Sequence, residues 1–345
     1  TQAKTLFPYT TLFRSDIQWT ATWANLTTAQ IEILRSLYKS AKLPLPTAGR
    51  VLVPGATFNP WIGCHKVSPA CKFCYAETLA KRFPHFVYGA GKGQGLPVWG
   101  QSAPRRVTSA QNWHSILCLN KIATEAGVRI KVFCASLADV FEDFDGEVIG
   151  RDGITDLNEA RRALWDLIEL TRGLDWLLLS KRPENILDMV PEHWQHTEGC
   201  LTKYHGGCRD HAHVFECNVW PDHVWIGATV EDHEHAQLRL PHLLNVPAKV
   251  RFVSYEPALG PVDFRSWAHG LHWIIIGGES GNGARPFEMS LVKNVFGQGL
   301  TCALFVKQMG ARPMLHGVPQ TFTDPHGGDP GEWPDHMTVR QWPRS

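Results

Sequence analysis

No apolar run in the 345 residues approaches the roughly 20 residues needed to cross a bilayer. Net charge is equally scarce. Thirty-four Lys and Arg stand against 33 Asp and Glu, which leaves +1 and excludes a broadly cationic protein that coats nucleic acid, though not a local basic cleft. A secretory signal of charged, apolar and small-residue parts is missing, as is an early Gly-rich dinucleotide fingerprint. Nine cysteines is an odd count in a long chain, which argues against a disulfide-stapled scaffold. The expectation is a chain of the reducing cytoplasm, long enough to bury one large domain with insertions.

What is present centres on one stretch. Cys64, Cys71 and Cys74 stand at C-x6-C-x2-C, entered through Asn59-Pro60-Trp61-Ile62-Gly63 and left through the helix formers from Tyr75 to Arg82. Pro60 and Gly63 predict a tight loop before the first thiol, and the last thiol is expected at a helix start, where the helix dipole and free amides favour a thiolate. Three thiols suit an iron–sulfur cluster, and a 4Fe–4S cluster on three cysteines leaves one iron open. Structural zinc takes four protein ligands, so a Cys3His site is the rival. His65 fits it poorly beside Cys64, which leaves the fourth place to a distant histidine. Unligated thiols are the third reading.

The same stretch resembles the three-cysteine motif, C-x6-C-x2-C-Y, of a phage and prophage family assigned to the radical S-adenosylmethionine enzymes. Further matching blocks follow in order: Ser180-Lys181-Arg182-Pro183-Glu184-Asn185, Val224 to Asp232, Val250 to Pro257, Gly277-Gly278-Glu279-Ser280-Gly281, Ala284-Arg285-Pro286 and Phe305 to Gly310. They span roughly residues 57 to 312. The superfamily spacing is C-x3-C-x2-C, so the first gap here is wider. The resemblance implies a 4Fe–4S cluster on Cys64, Cys71 and Cys74, with S-adenosylmethionine on the open iron and its reductive cleavage to a 5′-deoxyadenosyl radical. It also implies an electron donor, a possible phage-encoded partner protein, and Phe73 beside the adenine.

Residues 1–15 begin without Met and show no sustained period; they read as a non-native, adapter-like tail. In residues 16–56, Ile17-Gln18-Trp19-Thr20 resembles the family's opening strand, and an inserted helix capped near Thr27 carries Ile31, Leu34 and Leu37. Residues 57–315 form the expected barrel domain, and 316–345 a C-terminal extension. The Gly- and Pro-rich stretch 83–112, closed by Arg105 and Arg106, reads as a lid, a phosphate-binding element or a solvated linker.

From residue 131 onward, short apolar runs alternate with helical stretches. The strand candidates are Lys131–Ser136, Asp175–Ser180, Val224–Thr229, Val250–Ser254, Trp273–Gly277 and Ala303–Lys307. Near-continuous apolar runs of this length suit strands covered on both faces. The clearest helix is Asp156 to Arg172. This alternation predicts an α/β fold: a parallel βα barrel, partial, of six to seven strands, with insertions. A doubly wound open sheet is the alternative.

The strand runs end in reactive residues, which a barrel gathers at its C-terminal mouth. Lys181, Glu231, Glu256 and Lys307 are the catalytic candidates. Ser136, Asp139 and Glu279 join Phe73 as cofactor-facing candidates, although the superfamily's Gly-Gly-Glu element normally follows the second strand, whereas Gly277-Gly278-Glu279 comes far later. Helix capping and ion pairing under the loops are the competing roles for each. Lys181, Arg182, Arg285 and Lys307 suit a phosphate-bearing substrate, or balance Glu231, Glu256 and Glu279.

A second Cys- and His-rich tract falls in an insertion over 196–220. Zinc on Cys200, Cys208, Cys217 and a histidine is one reading, and incidental residues in a loop the other. Two functions compete: a radical enzyme modifying or repairing a nucleic-acid base or nucleotide, and a non-catalytic, zinc-dependent nucleic-acid-binding module.

Overall fold

The computed structural model describes residues 56–82, 98–195, 220–281 and 283–343. Seven strands form one all-parallel sheet: β1 Ala56–Phe58, β2 Ile130–Cys134, β3 Leu174–Ser180, β4 Val224–Thr229, β5 Arg251–Tyr255, β6 Trp273–Gly277 and β7 Ala303–Gln308. Their spatial order follows the chain from β1 to β7 without reversal, and the sheet curls into a half-barrel. A doubly wound sheet would reverse order at a switch point; this one does not. The parallel partial barrel expected from the alternation is therefore the fold.

Side-chain period separates two faces of the sheet. On the outer face Val132, Trp176, Leu178, Ile226, Val253, Ile274 and Val306 join the helices in the main core. After α1 Tyr75–Arg82, which packs instead through Ala76 on Ile62, Val98 and Leu137, these helices are α2 Ala110–Ala126, α3 Leu157–Leu170, α4 His233–Asn245 and α5 Ser290–Phe296. Helix α3 shows why such segments fold here. Leu157, Ala160, Leu164, Leu167 and Ile168 share its buried face. Asp156 caps it by accepting from the Glu159 amide at 2.8 Å, while Glu159 accepts in return from the Thr155 amide. Replacing Asp156 with alanine is expected to cost about 1 kcal/mol in denaturant unfolding.

Among the described residues no helix joins the inner face. Leu177, Trp225, Phe252, Trp273, Ile275 and Phe305 line it in a separate aromatic cluster. The parallel register sets Gly227 against Phe252. A Cβ on Gly227 would lie 2.4 Å from the Phe252 ring, so only glycine leaves room for that ring. The cluster is closed by Trp342, 4.7 Å from Trp273 and 5.8 Å from Phe305 between ring centroids. The extension after residue 315 is thus packed into the sheet, with Trp333 and Met337 also buried.

One local expectation changes. Among the described residues the sheet begins with Ala56–Phe58, whose three residues are too short a run to stand out; Ile17–Thr20 and the helix near Ile31 lie outside the described residues, as do residues 83–97. Arg105 and Arg106 do not close a loop: with Val107 they form a short strand paired with Trp61–Ile62 and Val148–Ile149. No helix among the described residues is long and apolar enough to cross a membrane.

Candidate functional site

The cysteine loop leaves β1 at the C-terminal edge of the sheet. Gly63 has φ +120°, and a Cβ there would lie 2.5 Å from the Val98 carbonyl, so the turn needs glycine. Its amide donates to the Leu137 carbonyl at 3.0 Å, and the Cys64 carbonyl accepts from Gly100 at 3.0 Å. Pro69–Cys71 forms a 3-10 turn. Cys74 directly precedes α1, at the helix start expected for it. The first residue of α1 ties the loop down again, because the Tyr75 hydroxyl donates to the Ser136 carbonyl at 2.9 Å.

A buried charge array backs the first thiol. Glu142 is fully buried and accepts from Arg105 through Nε and Nη2, both at 2.9 Å. It also accepts from the His65 amide at 3.2 Å and meets the His65 ring at 2.6 Å. Arg182 completes the array. It donates to Asp139 at 3.0 Å and to the His65 carbonyl at 3.1 Å, and its Nη1 stands 3.7 Å from the Cys64 sulfur. Burial, then the charge of Glu142, pushes the Cys64 thiol up to about 12, with Arg182 opposing them. Burial alone would also raise Asp139, but Arg182, the Lys181 amide and the Ser180 hydroxyl hold it below the usual carboxylate range.

Lys181, Thr229, Ser254, Glu256 and Lys307 come together at the mouth. Lys307 pairs with Glu256 at 2.8 Å, and Glu256 also accepts from Ser254 at 3.2 Å. Lys181 reaches the Thr229 hydroxyl at 3.5 Å and is paired with no carboxylate among the described residues. Its charge acts on the cysteine loop. Burial works against ionising Cys71, but Lys181 and hydrogen bonds from Val67 and Ser68 outweigh it and lower that thiol. The Tyr75 bond to Ser136, just past β2, and the Arg182 contact to Cys64, just past β3, set this loop at the same end of the sheet.

Other candidates are placed differently. Glu231 is not brought to the mouth; its carboxylate is fully buried, bonded to Arg239 of α4 at 2.7 Å and 3.4 Å from His235. Asp139 is occupied by Ser180, Lys181 and Arg182, and the Ser136 hydroxyl by Asn59. Glu279 is bonded to the Arg285 amide and guanidinium. Arg285 in turn lies 5.6 Å from the centroid of Phe73, which remains 37% exposed. Arg105 and Arg182, both buried, are spent on Glu142 and Asp139 and are not available to a phosphate.

Sequence reasoning missed Glu142, Asn59 and the part that Arg105 and His65 play. The available signal was a carboxylate within the apolar run Ala138-Asp139-Val140-Phe141-Glu142, because a charge there must be paired.

Cys64, Cys71 and Cys74 are free thiols on one loop, each partly exposed. Among the described residues no group of three or more His, Cys, Asp and Glu is arranged to hold a metal ion. The donor set nonetheless fits an iron–sulfur cluster: three unpaired sulfurs with the spacing of a thiolate run, the middle one inclined to ionise. The zinc reading at Cys200, Cys208 and Cys217 lies outside the described residues.

No curated protein and no solved structure matches the chain. Residues 52–322 match the model of a protein family described as of unknown function, DUF5131, and that span holds the cysteine loop, the charge array and all seven strands. The chain belongs to the DUF5131 family.

Proposed function

We propose that this protein is a radical S-adenosylmethionine enzyme acting on a nucleic-acid base or nucleotide. The observation that carries the reading is the position of three free thiols on the one loop over the C-terminal mouth of a parallel half-barrel, where βα barrels hold their active sites. Cys64, Cys71 and Cys74 would hold a 4Fe–4S cluster, and gathering their sulfurs would be part of binding, as ligation is coupled to local folding. The cluster and its S-adenosylmethionine would supply reductive carbon–sulfur cleavage and a carbon-centred radical.

The chain's own residues bind, orient and shield. Lys181 offers the mouth a cation free of carboxylate, suited to an anionic group. Glu256 and Lys307 neutralise each other and leave Ser254 and Thr229 as neutral hydrogen-bonding neighbours. Phe73 presents an apolar ring beside the Arg285 guanidinium, a pairing that accepts a planar base. The aromatic inner face below excludes water from the floor. Glu231 belongs to the packing of α4 and is left out of the site.

The test is anaerobic purification with iron and sulfide analysis, then dithionite reduction with S-adenosylmethionine. Roughly four irons per chain and release of 5′-deoxyadenosine are the expected results. A colourless protein that binds zinc, stays iron-free after reconstitution and shows salt-sensitive DNA affinity would overturn the reading in favour of a binding module.

A further inference from the structure

The first gap of the cysteine motif holds six residues, and its two ends are secured in different ways. The Cys71 end is a short surface turn whose amide bonds to Ser68 at 2.9 Å. The Cys64 end is fixed against the interior by Arg182. One guanidinium nitrogen faces the Cys64 sulfur at 3.7 Å and Asp139 at 3.0 Å; the other donates to the His65 carbonyl at 3.1 Å and lies 3.3 Å from both nitrogens of the His65 ring. Glu142 holds the opposite side of His65 through its amide and ring. A planar guanidinium can satisfy these directions together; a lysine ammonium supplies the charge without the fork.

We propose that Arg182 is a positioning residue for Cys64, fixing the first thiol from the β3 side whether or not metal is bound, and donating a hydrogen bond to its sulfur once the site is loaded. The metal-free half stands on the structure alone; the loaded half rests on the cluster reading above. Hydrogen bonds to ligand sulfurs stabilise the reduced, more negative state of a cluster and raise its potential.

The experiment compares wild type, Arg182→Lys and Glu142→Gln. In metal-free full-length protein, hydrogen exchange is followed on peptides covering Gly63 to His65 and Gly100. Arg182→Lys is expected to exchange about tenfold faster at these amides, the effect of losing one hydrogen bond to a charged group, with global unfolding little changed. Glu142→Gln is expected to speed the same amides from the other side of His65. In reconstituted protein, the Arg182→Lys cluster is expected to have a more negative midpoint potential than wild type by redox titration.

Unchanged exchange in both variants overturns the proposal. Faster exchange with an unmoved midpoint removes the contact to sulfur and leaves only a structural role. If wild type takes up no iron while the exchange effect is present, the cluster reading fails and the positioning of Cys64 stands.

Discussion

Cys71→Ala is expected to take iron and sulfide to background and to stop the proposed 5′-deoxyadenosine release, while leaving the fold in place. Cys71 is partly exposed in a 3-10 turn, and its amide bond to Ser68 does not depend on the side chain. A substitution at such a position costs within about 0.5 kcal/mol, so thermal unfolding of the metal-free protein should match wild type. The useful contrast is Cys134→Ala. Cys134 is buried at the end of β2 in the main core, so removing its sulfur should lower stability and leave iron binding intact. Measuring iron, product and melting on both variants separates ligand from packing. Retention of iron and activity by Cys71→Ala would sink the proposed chemistry.

Glu142→Ala is expected to lower unfolding stability by about 3–5 kcal/mol in denaturant, because it strands the fully buried guanidinium of Arg105. The alanine also removes an acceptor of the His65 amide. A double variant, Arg105→Met with Glu142→Leu, replaces the pair with apolar side chains of similar bulk. It should recover most of the lost stability, since an exchanged buried pair is often neutral while a broken one is costly. The recovered protein should still show faster hydrogen exchange around His65, whose clamp is not restored. A single variant as stable as wild type would contradict the buried pair.

The parts legible beforehand were those written in local pattern. Six of the seven sheet strands stand within a residue or two of their apolar runs, because strands covered on both faces need continuous hydrophobicity. The apolar face shared by Leu157, Leu164 and Ile168 announced α3, and Gly63 the turn before Cys64. The loss was greatest where a residue's partner is distant in sequence. Glu142 meets Arg105 across 37 positions and His65 across 77, and nothing local says which charges will meet. Glu231 shows the converse: its place just beyond a strand end suggested the mouth, but Arg239, two turns into α4, claims its carboxylate. Arg182 was legible as a cation and illegible as a clamp, since burial against Asp139 and His65 decides that role. The strand Ala56–Phe58 escaped because three residues carry too little periodicity.

The aromatic floor also has an order of assembly. Trp225, Phe252, Trp273 and Phe305 belong to successive strands, but their cover comes from Trp342, after the last strand of the sheet. On the ribosome the chain emerges at about 5–20 residues per second, so the inner face stays bare for some seconds after β7 has been made. During that interval it is a wide, sticky aromatic surface facing the cell. A stop codon ahead of Trp342 would leave that aromatic surface without this cover permanently, which is an aggregation liability.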